Sequence, residues 1–127
     1  MNKFHSEEKN SADKLQLKRE LIEKLFQVSA FWSYSNLSAE QVPDEELIEK
    51  VFIHLDMPEI ALLFKIYSRE YIRKVWRQQL AVQGDYLFML NVMIALYYFN
   101  IRKPERYLHR IEREHIKKLL NPRVSRQ

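Results

Sequence analysis

The chain contains no cysteine, and therefore no disulfide, no thiol nucleophile and no cysteine-ligated zinc or iron–sulfur centre. It contains one glycine, Gly84, in 127 residues. Loops that cradle phosphates against bare backbone need several glycines, so neither a P-loop nor a dinucleotide-binding fingerprint is present. So little glycine, with only four prolines, also argues against a turn-rich β protein. The longest apolar run is shorter than the roughly 20 residues that cross a bilayer. The opening stretch, MNKFHSEEKNSADK, lacks the apolar centre of a secretion signal. A cytoplasmic location and no membrane partner are the expectations.

What is present is material for a core. Apolar residues make up 46% of the chain and aromatic residues 13%, too many for a disordered segment. A chain of this length normally forms one domain and buries roughly two-thirds of its unfolded surface. Apolar residues recur at helical spacing and nowhere alternate as in a strand. The prediction is an all-α protein, a single compact domain of about six helices. Residues 1–11 read as a flexible tail, 12–120 as the helical domain and 121–127 as a flexible basic tail.

Boundary signals divide that domain. Ser11 is placed to cap a first helix over 12–28, with Leu15, Leu21, Ile22, Leu25 and Phe26 on one face. Phe31, Trp32 and Tyr34 then fall in a loop that their size should pin to the core. Ser38 to Gln41 has the form of a capping box for a short turn. Pro43 and Asp44 open a helix over 44–55, and Asp56 with Glu59 repeats the start signal for another. Ser68 caps a helix over 69–80, and Pro104 opens the last one, over 104–120. Between them, YLFMLNVMIALYYFNI (86–101) is apolar on all sides except at Asn91 and Asn100. Such a helix is central to a core, or is a core helix that also makes a dimer contact.

In the last helix, His109, Glu112 and His115 recur at a spacing of three, which raises a metal site. Taking Leu108 as the origin and about 100° per residue, the three drift some 120° around the axis. The paired histidines of a metallopeptidase motif instead lie one turn apart on one face. The expectation is no metal and no cofactor, with His115 half-buried in a seam with Leu108, Ile111 and Leu119. Serine, histidine and aspartate are present, but no spacing marks a nucleophile with its base, and no catalytic residue is assigned.

The opposite face of that helix carries Lys103, Arg106, Arg110, Arg113 and Lys117 in one band. Like charges three and four residues apart cost a few tenths of a kcal/mol each in an isolated helix. From Arg102 onward nine cations face three acids, whereas Leu37–Ile60 holds seven acids and one lysine. Three readings of the band stand: pairing with the acidic second helix or plain solvation, an acidic protein partner, or nucleic acid. A separate stretch, 57–80, has the outline of a helix-turn-helix. Arg69, Arg73, Lys74, Arg77 and Gln78 are its candidate contacts to nucleic acid.

Four stretches taken together, FWSYSNLS, LIEKVFIHLDMPEIALLFKIY, YIRKVWRQQL and RKPERYL, resemble small, uncharacterised, all-helical bacterial proteins. Some of these are encoded beside nucleotidyltransferase-type toxins. The resemblance spans roughly residues 30–110, rests on packing residues, and leaves out the first helix and the basic tail. It implies an antitoxin-like partner protein without catalytic activity, for which a toxin is the implied partner, and it offers no site residues to carry over. The leading expectation is a non-catalytic protein-interaction module, and the second is a small DNA-binding regulator.

Overall fold

The computed structural model describes residues 3–28 and 41–120. Every regular element among them is helical, and the protein is all-α. The order is α1 (Lys3–Gln27), α2 (Asp44–His54), α3 (Met57–Ile66) and α4 (Arg69–Val75). A π-helical turn (Trp76–Leu80) and a 3₁₀ segment (Ala81–Leu87) follow, then α5 (Phe88–Phe99) and α6 (Pro104–Leu120). The chain divides into two compact units, Met1–Ile72 and Arg73–Gln127. The reason lies in the packing: α1, α2 and α3 contact one another, and the π turn, the 3₁₀ segment, α5 and α6 form a second such set. The expectations placed on Phe31, Trp32, Tyr34, Ser38 and the 121–127 tail lie outside the described residues.

In the first unit, α1 begins at Lys3, so Ser11 lies inside the helix and does not cap it. No proline or glycine occurs before Pro43, and nothing in the sequence stops the helix from extending back beyond its packed half. That half buries Leu21, Ile22 and Leu25, and α2 buries Leu47, Ile48, Val51 and Phe52. The start signals that were read for α3 and α4 operate. The Asp56 backbone N–H donates to Glu59 Oε1 at 3.1 Å, and the Tyr71 N–H donates to Ser68 Oγ at 3.2 Å. That backbone bond to Asp56, aided by Lys24 at 3.2 Å, holds the Glu59 carboxyl below its usual range.

The acidic first turn of α2 is engaged within the same unit. Asp44 accepts hydrogen bonds from Lys18 (3.2 Å) and from the Tyr67 hydroxyl. Glu45 accepts one from Tyr71 at 3.1 Å. Burial, then the Asp44 carboxylate, pushes the Tyr67 phenol far above its ordinary range.

In the second unit, α5 departs from the expectation for a helix buried all round. Asn91, Ile94, Ala95 and Phe99, spaced as one helical face, are buried. Tyr86, just before the helix, and Met89, Met93, Leu96 and Tyr97 on it are exposed, Met89 to 77%. An all-apolar sequence has no polar face to mark its outer side, and the sequence pattern could not show which side packs. Both asparagines that interrupt the run have structural roles. Asn100 adopts the left-handed conformation (φ 52°) that ends α5, and the Ile101 N–H closes the cap on the Ala95 carbonyl. Asn91 is 1% exposed; its Oδ1 accepts from Trp76 Nε1–H and its Nδ2 donates to the Leu80 carbonyl, both at 2.9 Å. It thereby gives the buried Trp76 N–H its acceptor and the last carbonyl of the π turn a side-chain donor.

The longest helical run, Arg69–Phe99, is apolar enough by composition to meet the criterion for a membrane span. Gly84 interrupts it with φ 64°, ψ −139°, a backbone conformation essentially reserved for glycine. The regular part, α5, has 12 residues and is about 18 Å long, against roughly 30 Å of hydrocarbon. Leu108 and Ile111 of α6 are buried and His115 is half-buried, as the helical wheel places them. Leu119, assigned to the same seam, is 67% exposed.

Candidate anion-binding face

The second unit holds twelve cationic residues and four acidic ones, a formal charge of +8; the first holds nine and thirteen, a charge of −4. The charge asymmetry visible along the sequence thus coincides with the division of the fold. Within the second unit, all five residues of the basic band on α6 are exposed. Four of them, Lys103, Arg106, Arg110 and Arg113, line one open cleft of ≈ 380 Å³ together with Ile101 and Tyr107. Lys117, one turn farther on, lies outside it. None of the five forms an ion pair with a described residue.

Tyr107 organises this face, and sequence reasoning passed over it. Its ring stacks parallel to the buried Trp76 indole, with centroids 6.0 Å apart, and Trp76 in turn packs on Phe99 at 5.1 Å. Arg110 lies over the Tyr107 ring at 5.3 Å, and Arg77 from the π turn lies over it at 5.8 Å. The two cationic groups that the sequence presents separately, on the last helix and on the 69–80 segment, therefore meet on one aromatic ring. Thirty residues of chain separate Arg77 from Tyr107, and no local spacing carried that signal. The Tyr107 hydroxyl is buried with no hydrogen-bond partner among the described residues.

Of the contacts proposed for nucleic acid, Arg69, Arg73, Lys74, Arg77 and Gln78 are all exposed, while Ile72, Val75 and Trp76 are buried. Arg69 belongs to the first unit and the other four to the second. The residues weighed as metal ligands have separate surroundings. The His109 ring lies 5.5 Å from the Phe88 ring. The Glu112 carboxylate rests against Gly84, where an added Cβ would come within 3.2 Å of Oε1. Among the described residues no group of three or more histidines, aspartates or glutamates is placed to hold a metal ion.

The fold and this face define an all-α protein with a cationic, aromatic-centred surface. No known protein family matches the chain, and neither a curated protein nor a solved structure is significantly similar to it.

Proposed function

We propose that the protein is a non-catalytic interaction module, an antitoxin-like regulatory partner that acts in the cytoplasm. Its second unit docks an acidic protein surface through Arg77, Arg106, Arg110 and Arg113 around Tyr107. The observation that carries this reading is the cleft. It gathers four of the five band residues, three of them arginines, and none of those is neutralised by a described residue. Like charge concentrated on one helix face opposes folding slightly, and an anionic partner gives it a use. Protein interfaces concentrate arginine, tyrosine and methionine. The same unit exposes Tyr86, Met89, Met93 and Tyr97 beside its arginines in composition, which favours a protein over the more uniformly polar surface that nucleic acid selects. The partner implied by the sequence resemblance is a toxin.

A second reading, nucleic-acid binding, is favoured by the exposure of Arg69, Arg73, Lys74, Arg77 and Gln78. One experiment addresses both. Tagged wild-type protein and the Arg110→Glu/Arg113→Glu variant are used to capture partners from the native cell, with equilibrium denaturation of each alongside. Stability should stay within about 0.5 kcal/mol, as for most surface changes. An acidic protein captured by the wild type should be lost by the variant, since repulsion replaces attraction at the interface. Retention of nucleic acid alone, with affinity falling steeply with salt, would establish the second reading instead. Clear destabilisation of the variant would assign the arginines to the fold and remove the argument.

A further inference from the structure

We propose that the cleft on residues 101–113 is a binding site for a phosphate monoester carrying a small apolar body, and that its occupant competes with the docking partner. The competition rests on the function proposed above; the site itself does not. Its dimensions fit a small ligand. The cleft, at ≈ 380 Å³, falls in the range of roughly 300–1,000 Å³ typical of such pockets and leaves room beyond a bare phosphate.

Its chemistry selects the head group. Arg106, Arg110 and Arg113 follow one another at about one helical turn, with Lys103 at the mouth of the same helix. A carboxylate carries one negative charge and two oxygens. A phosphate monoester carries close to two charges near neutral pH and three acceptor oxygens. Guanidinium forks bind such oxygens in pairs, and a lysine adds a point charge. Four cations without a described counter-ion exceed what one carboxylate neutralises and suit a dianion.

The remaining lining selects the body. Ile101 and Tyr107 are the two uncharged side chains of the cleft, and both are part-buried. Tyr107 is held rigidly by its stacking on Trp76, so this part of the wall is formed before any ligand arrives. A rigid apolar wall beside a cationic cluster favours an ester with a flat or compact organic group over inorganic phosphate.

Calorimetric titration of the full chain at about 0.15 M salt tests this, where diffuse surface attraction is largely screened. The probes are phenyl phosphate, inorganic phosphate and benzenesulfonate, a monoanion of the same shape. Phenyl phosphate should bind at least tenfold more tightly than either of the others. Arg106→Gln and Arg110→Gln should each weaken it about tenfold, while Lys118→Gln, exposed on the same helix but outside the cleft, should leave it unchanged. Equal affinity for benzenesulfonate, or equal losses in all three variants, would overturn the site and reduce it to general surface charge. Because no protein partner takes part, a negative capture experiment with intact phenyl phosphate binding would sink the proposed function and leave the site standing.

Discussion

Asn91→Leu is the sharpest probe of how the second unit is held together. The substitution keeps the number and branching of the side-chain heavy atoms and removes two hydrogen bonds at once, from Trp76 Nε1–H and to the Leu80 carbonyl. Asn91 is 1% exposed and Trp76 is fully buried, so the orphaned Trp76 N–H cannot turn to water. An unsatisfied buried donor or acceptor costs about 1–3 kcal/mol. That donor, with the lost bond to the Leu80 carbonyl and a partial offset from the apolar surface that leucine buries, gives a net loss of about 1–3 kcal/mol. For a chain of this size that corresponds to a fall in Tm of very roughly 5–15 °C. Chemical denaturation of wild type and variant would measure it. A second arm adds Trp76→Phe in both backgrounds. The tryptophan donor matters only while Asn91 accepts from it, so the substitution should cost about 1 kcal/mol less in the variant than in the wild type. A loss below about 1 kcal/mol for Asn91→Leu, with additive double-variant energies, would refute the claim that Asn91 secures the π turn.

Two further outcomes follow from burial and charge. Ile94→Ala should destabilise by about 2–5 kcal/mol, because its site is fully buried, whereas Met93→Ala, one residue away on the exposed side of α5, should cost under about 1 kcal/mol. Equal losses would mean that α5 is covered all round. Ultraviolet titration should find a tyrosine component ionising far above pH 10, and Tyr67→Phe should remove it. Because the folded-state pKa is raised, the linked stability is full below about pH 10 and is lost as pH rises beyond it. Ordinary ionisation of all seven phenols near pH 10 would contradict the buried contact to Asp44.

Much of the fold was legible in the sequence because its signals are local. Asp56 with Glu59, Ser68, Pro104 and the 3.6-residue periodicity act within one or two turns, and they set helix type and most helix starts independently of what packs where. Where no local signal exists, the reading went astray. No breaker marks where α1 begins, and it runs from Lys3. No polar face orients α5, and four of its twelve residues are exposed.

The candidate site shows the same boundary. Sequence alone determined that Lys103, Arg106, Arg110, Arg113 and Lys117 share a helix face, because helical geometry places residues three and four apart together. It also determined that a chain with one glycine and no cysteine carries no glycine-rich phosphate loop and no thiolate chemistry. Only the tertiary structure decided that Arg77 and Arg110 meet over Tyr107, that four of the five cations share one cleft, and that Asp44 and Glu45 of α2 are engaged by Lys18, Tyr67 and Tyr71. Those are pairings across 23 to 30 residues of chain, or shapes made by several elements. The side-chain pattern of one helix says which way a residue faces, and says nothing of what another element brings to meet it.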